Sequence, residues 1–230
     1  MGHPALSCIE AVLFDCDGVL VDSEIIAMEV DRSHLHGIGL SYAPHEFAER
    51  FIGLSDTAYR NAIEADHQRI FGKSTPDGFF QSMKRAYRAR LAAQLAAVPG
   101  ADITLRGWAR PKAIASSSSL AQLEIKLRKT DLWDQVAPHV YSAEQVRAGK
   151  PAPDVFLFAA DRLSQPPQAC MVIEDSLNGV LAGRAAGMRV WGFTGGGHAD
   201  PGLGARLQDL GAERCFASHA DLLLALQALA

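Results

Sequence analysis

Apolar positions follow two periods along this chain. Ala11 to Phe14 form a continuous apolar run, closed abruptly by Asp15-Cys16-Asp17-Gly18. That pattern predicts a strand buried on both faces, as in a parallel sheet. Similar runs recur at Ala113 to Ala115, Cys170 to Ile173 and Val190 to Phe193. Helical periods lie between them. Leu120, Leu123 and Leu127 are spaced by three and four residues, and Pro153 opens Asp154 to Leu163, where a proline is tolerated in a first turn. Asn178 to Ala186 runs to Gly187, a helix C-cap signal. Strands alternating with helices predict an α/β fold with a parallel sheet.

One stretch breaks this rhythm. From about Glu24 to Leu95 the signals are helical and no strand pattern occurs. A helix is expected from Ser55 to near Gly72. Thr75-Pro76 reads as an N-cap with proline in the first helical position. Phe80, Met83, Tyr87, Leu91 and Leu95 then form an apolar stripe. Pro99-Gly100 marks the return of the sheet pattern. The expected division is a core domain of residues 1–22 and 97–230, with a helical domain of residues 23–96 inserted.

Composition narrows the class. At roughly 150 residues per domain, 230 residues accommodate one domain with an insert, and 48% hydrophobic content excludes general disorder. No apolar run approaches the roughly 18 residues of a membrane helix. The first residues lack a charged region followed by an apolar stretch, so no secretory signal is expected. The 22 basic and 26 acidic side chains give a net charge of −4, which argues against a general nucleic-acid binder. Cys8, Cys16, Cys170 and Cys215 form no CxxC pair. This argues against a zinc or disulfide framework and for a reducing, cytoplasmic setting.

Four clusters carry candidate chemistry. Asp15 and Asp17 end the first strand, where open α/β sheets bind ligands. Glu174 and Asp175 end the run Met171-Val172-Ile173 in the same way. Were the two strands neighbours, four carboxylates would converge. Two unit charges about 4 Å apart repel by roughly 4 kcal/mol at an effective dielectric of 20. Such a group must protonate or bind a cation, and all-oxygen donors favour Mg²⁺. Ser116 to Ser119 stand between a strand and a helix, where hydroxyls and free N–H groups suit an anion. Gly149-Lys150-Pro151-Ala152-Pro153 places a lysine just before a helix.

The order DxDG, serine after a strand, GKPxPD, and an apolar strand ending in Glu-Asp resembles the haloacid dehalogenase superfamily of phosphotransferases. The strings DxDGVLVDSE and GKPAPD with VIEDSxxGVxAGxAAGM carry the resemblance, which spans Ile9 to Phe193. More narrowly the chain is similar to the branch of β-phosphoglucomutase and small sugar-phosphate phosphatases. The resemblance implies a three-layer Rossmann-like core and a helical cap inserted after the first strand. It implies Asp15 as nucleophile, Asp17 as general acid and then base, and Ser116 and Lys150 as partners of the transferring phosphoryl group. Mg²⁺ would be held by Asp15, the backbone carbonyl of Asp17 and Asp175, with Glu174 a direct or more distant ligand.

Within the family, an aspartate at position 17 favours phosphate chemistry, because dehalogenases lack it. A phosphonatase would need a buried cap lysine, and neither Lys73 nor Lys84 stands in such a setting. In β-phosphoglucomutase-like sequences a histidine follows the first aspartate by twelve residues; here Ala27 holds that place, which favours hydrolysis over a mutase cycle. A regulatory phosphate-binding protein, akin to receiver domains, is the non-enzymatic alternative. The expectation is a Mg²⁺-dependent phosphatase of a small phosphorylated metabolite, a monomer or small homo-oligomer without nucleic-acid or membrane partners. Ser117, Glu24, Arg50 and Gly53 are the candidate substrate contacts, with Leu54 in the same cap segment. His198 is expected as an exposed loop residue, and Cys16 as a packed side chain.

Overall fold

A computed structural model describes residues 8–51 and 56–229. The first apolar run is strand β1 (Ala11–Phe14), with every residue buried. Its continuous hydrophobicity follows from its place in the middle of the sheet. Strand β2 (Lys112–Ser116) pairs with it on one side, and β4 (Cys170–Glu174) on the other. Strands β3 (Val140–Ser142), β5 (Arg189–Phe193) and β6 (Arg214–Phe216) complete a six-stranded sheet in the order β3-β2-β1-β4-β5-β6. All the pairings are parallel.

The chain divides into two compact units, Met1–Glu24 with Leu95–Ala230, and Ile25–Gln94. The helical segment begins with α1 (Ser23–Gly37), followed by α2 (Pro44–Phe51), α3 (Asp56–Phe71) and α4 (Phe79–Gln94). Its core is Leu35, Leu40, Phe47, Phe51, Ile63, Phe79 and Met83. No strand occurs among the described residues of this unit.

Helix α4 starts later than Thr75-Pro76 predicts. Gly78 has φ 76°, a left-handed conformation that interrupts a right-handed helix. Thr75 does not cap α4; its N–H and hydroxyl both donate to the Glu64 carboxylate, at 3.0 and 2.5 Å. The inward face accordingly centres on Phe79 and Met83.

In the sheet unit, α8 (Asp154–Arg162), α9 (Leu177–Ala185) and α10 (Leu203–Asp209) pack on the face that presents Ala11, Leu13, Ala113, Ala115, Val172 and Val190. Residues two apart on a strand share a face, so this set follows from the alternation along each strand. A second group comprises α5 (Ala101–Gly107), α6 (Leu120–Lys129), α7 (Trp133–Val136) and α11 (His219–Gln227). There α6 packs on β3, α7 on β2, and α11 on α5 and β6. Among the described residues no helix is long and apolar enough to cross a membrane.

Candidate active site

The strand order reverses at β1, which has β2 on one side and β4 on the other. Open α/β sheets form a crevice at such a point, outside the carboxyl ends of the strands. The register aligns Phe14 with both Ile173 and Ile114. Asp15, Glu174 and Ser116 therefore emerge from three adjacent strands at one end of the sheet. The chain then turns sharply at Gly18, with φ 77°, and the Gly18 N–H donates to the Val21 carbonyl at 2.8 Å. A Cβ at Gly18 would also overlap the Asp175 carboxylate. Backbone sign and space thus both require glycine there.

Lys150 ties the first and fourth strands together. Its ammonium donates to Asp15 Oδ1 at 2.5 Å, Glu174 Oε1 at 2.6 Å and the Ala115 carbonyl at 2.9 Å. Although burial opposes the charge, Asp15 and Glu174 hold its pKa above the ordinary lysine value. The second Glu174 oxygen accepts from the Ser176 N–H and hydroxyl, each at 2.9 Å. Glu174 is fully buried, and both its oxygens are engaged. Burial pushes the Asp15 carboxyl well above its usual range; Lys150 opposes this, while Glu174, Asp175 and Asp17 add to it.

Asp17 has a different environment. Ser23 Oγ donates to its Oδ1, Ser118 Oγ to its Oδ2 at 2.7 Å, and Lys126 Nζ to Oδ1 at 2.5 Å. Burial works to raise its pKa, but Lys126 and the hydroxyls prevail and lower it. Of the serine run, Ser116 is buried and its hydroxyl accepts from the Ser118 N–H at 3.1 Å. Ser117 is exposed. Ser118, not singled out from the sequence, is the member of that run that reaches Asp17.

Asp175 meets His198, whose Nε2 lies 3.1 Å from Oδ2. His198 is therefore not the exposed loop residue expected: its side chain is only 9% accessible. The loop is tied down where the Gly197 N–H donates to Asp22 Oδ1 at 3.0 Å. Burial raises the Asp175 pKa, with His198 acting against it. Glu24 is part-buried, and its carboxyl is pushed up to about 7 by burial and then by Asp17 and Asp175. Cys16 is buried and its thiol raised by that burial, in keeping with a packing role.

In the helical unit, Arg50 donates to Asp66 at 2.6 Å and remains half exposed. Asp66 is buried and also accepts from Tyr42 at 2.6 Å and Arg69 at 3.1 Å. Gly53 and Leu54 lie outside the described residues. Lys73, Lys84, Arg85 and Arg88 are exposed.

Asp15, Asp17, Glu24, Glu174 and Asp175 thus outnumber Lys126, Lys150 and His198 around the end of β1. Among the described residues no three His, Cys, Asp or Glu side chains are grouped as a metal cage. A hard divalent cation needs no such cage, since it takes one or two carboxylates with carbonyl, water and substrate oxygens. The surplus of buried carboxylate, raised at Asp15 and Asp175, fits that donor chemistry.

Sequence left Lys126 unnoticed. Its signal was available: it falls three residues after Leu123 and one before Leu127, on the inward stripe of α6.

Residues 9–187 match the haloacid dehalogenase-like hydrolases. The chain is 34% identical over 186 residues to hexitol phosphatase A of Escherichia coli, covering 77% of this chain and 80% of that one. It is 31% identical over 182 residues to the bifunctional riboflavin kinase/FMN phosphatase of Arabidopsis thaliana, covering 78% of this chain but 47% of that larger protein. The crystal structure of a HAD family hydrolase from Deinococcus radiodurans, with bound phosphate and sodium, superposes with a TM-score of 0.85 at 37% identity, covering 97% of both chains.

Proposed function

The chain belongs to the haloacid dehalogenase-like hydrolases and is a phosphatase enzyme, and from that premise we propose that it hydrolyses a small sugar phosphate with Mg²⁺ through an aspartyl-phosphate on Asp15. The observation that carries this reading is the Lys150 ammonium, set 2.5 Å from Asp15 and 2.6 Å from Glu174 where the strand order reverses. A lysine so placed neutralises charge as an anionic carboxylate approaches an anionic phosphate, and such transfers depend on positioning and electrostatic stabilisation.

In the proposed sequence an Asp15 oxygen bonds to phosphorus as the bond to the leaving oxygen breaks. Asp17, a carboxylate paired with Lys126 at rest, must first take up a proton; it then gives that proton to the leaving oxygen, releasing the dephosphorylated alcohol. Asp17, now a carboxylate, takes a proton from water, whose oxygen attacks phosphorus and frees Asp15 and inorganic phosphate. A carboxylate nucleophile thereby divides one difficult hydrolysis into two steps. Ser116 and Lys150 hold the phosphoryl oxygens. Asp15, the Asp17 carbonyl and Asp175 would hold Mg²⁺, which when bound supplies further positive charge to those oxygens. Glu174, with both oxygens engaged, serves by aiming Lys150. Ser117, Glu24, Arg50 and Gly53 are the proposed substrate contacts, with residues 23–96 acting as a cap domain. Ala27, where mutases of this branch carry histidine, favours hydrolysis over transfer. The proposed setting is the cytoplasm.

Phosphate release from a panel of sugar phosphates, with and without Mg²⁺, tests the reading. Mg²⁺-dependent release that disappears in Asp15→Asn is the expected result. Absence of release across the panel, or turnover retained by Asp15→Asn, overturns it.

A further inference from the structure

A second lysine is built into the site. Lys126 occupies the inward face of α6 between Leu123 and Leu127, with its side chain only 4% accessible. Side chains on a helix lean toward its N-terminus, so Lys126 reaches back past the Ser119 N-cap to Ser118 and Asp17. Its Nζ stands 2.5 Å from Asp17 Oδ1 and 3.1 Å from Ser118 Oγ, and that hydroxyl stands 2.7 Å from Asp17 Oδ2. Lysine, serine and carboxylate form a closed ring, in which Asp17 Oδ2 accepts from Ser118 and Oδ1 from Lys126 and also from Ser23.

The ring is anchored from behind. The Ser118 carbonyl accepts from Ser142 Oγ of β3 at 2.7 Å, and the Ser118 N–H is held by Ser116. A lysine on an apolar helix stripe surrenders hydration, and the bond to Asp17 is what compensates it here. The two lysines divide the aspartate pair: Lys150 binds Asp15, and Lys126 binds Asp17.

We propose that Lys126, with Ser118, is a positioning residue that fixes the orientation of the Asp17 side chain for its two proton transfers; its charge favours the ionised form that acts as base, so what it supplies to the acid step is orientation alone. This rests on the phosphatase reading and adds to it a specific division: Lys126 acts on proton transfer and not on phosphoryl binding. Departure of an alkoxide from a sugar phosphate needs a proton, whereas departure of p-nitrophenolate does not.

The experiment compares Lys126→Met with the wild type on two substrates. The first is a sugar phosphate that the wild type turns over, followed in a single turnover. The second is p-nitrophenyl phosphate, followed in the first burst of p-nitrophenolate. The expected loss is at least about tenfold greater for the sugar phosphate than for the burst, with KM changed by less than about twofold. In an Asp17→Asn background the same replacement should cost less than about threefold more, because the group it positions is already disabled. Equal losses on both substrates, or a full further loss in the Asp17→Asn background, overturn the proposal. Should Lys126→Met fail to fold, Ser118→Ala removes the other donor of the ring and the same comparison decides. A wild type without turnover, or an active Asp15→Asn, would defeat the phosphatase reading itself. An active wild type, an inactive Asp15→Asn and even losses at Lys126 would defeat this inference alone.

Discussion

Gly179, in the first turn of α9, sits so close to Glu174 that a Cβ added to it would overlap the carboxylate carbon and both oxygens. Glu174 cannot yield without disturbing other groups, because Lys150 and Ser176 hold it on both sides. Gly179→Ala is therefore expected to destabilise the fold by about 1–3 kcal/mol, the usual cost of overpacking, and to lower kcat by displacing Lys150. Urea unfolding and phosphate release measure both. Wild-type values for each would show that Glu174 is free to move.

Lys150 is a buried cation shared by two carboxylates. Lys150→Met leaves Asp15 and Glu174 facing each other, and loss of one partner from a buried pair costs about 3–5 kcal/mol. Adding Glu174→Gln should restore part of that stability but none of the turnover. Chemical denaturation of the single and double variants checks this; a double variant no more stable than Lys150→Met would contradict it.

Stability should fall as pH rises through the weakly acidic range. Glu24 is pushed up to about 7, and Asp15 and Asp175 are raised as well. Below the ordinary carboxylate range both folded and unfolded chains are protonated at these groups. Between that range and the raised values the folded chain binds more protons, so rising pH favours unfolding. Asp17 has a lowered pKa, and its opposite contribution falls at more acidic pH. Without divalent cations, the melting temperature should be higher at about pH 5.5 than at about pH 7.5. Glu24→Gln should flatten the slope, and Mg²⁺ should raise the curve chiefly at the upper end. A profile that climbs with pH, or a slope unaltered by Glu24→Gln, would refute the account.

Arg50, a proposed substrate contact, and its partner Asp66 should separate recognition from stability. Arg50→Ala should raise KM for the sugar phosphate about tenfold, with a smaller change in kcat, as expected when binding common to ground and transition states is removed. Asp66→Ala leaves Tyr42 and two arginines without their acceptor and should cost about 1–3 kcal/mol. Steady-state kinetics and thermal melting, run on both variants, distinguish the two effects. An unchanged KM in Arg50→Ala would remove that residue from the proposed substrate contacts.

The centre of the sheet was legible in the sequence because β1 and β4 are buried on both faces, and a short unbroken apolar run closed by acids suits a central parallel strand better than an amphipathic helix. Their shared pattern of terminal acids also foretold that Asp15 and Glu174 would meet once the strands paired. Strands β3 and β6 escaped notice because each has three residues and lies at a sheet edge, too short to establish a period. The start of α4 was misplaced because Thr75-Pro76 is a sound local signal that the left-handed Gly78 and the bond to Glu64 override. Lys126 and His198 were missed for one reason: residue type suggests solvent for both, and only packing turns them toward carboxylates.

The position of β1 also bears on the order in which this molecule matures. Asp15 is among the earliest described residues, while Ser116, Lys150, Glu174 and Asp175 all follow the helical unit. The pairing of β1 with β4 closes a separation of most of the chain, and such distant contacts form slowly because loop entropy must be lost before they reward it. In an emerging chain the helical unit is made while Asp15 is still without its later neighbours. Repulsion of Asp15 by Glu174 and Asp175 is thus postponed until Lys150, which offsets part of it, has been made.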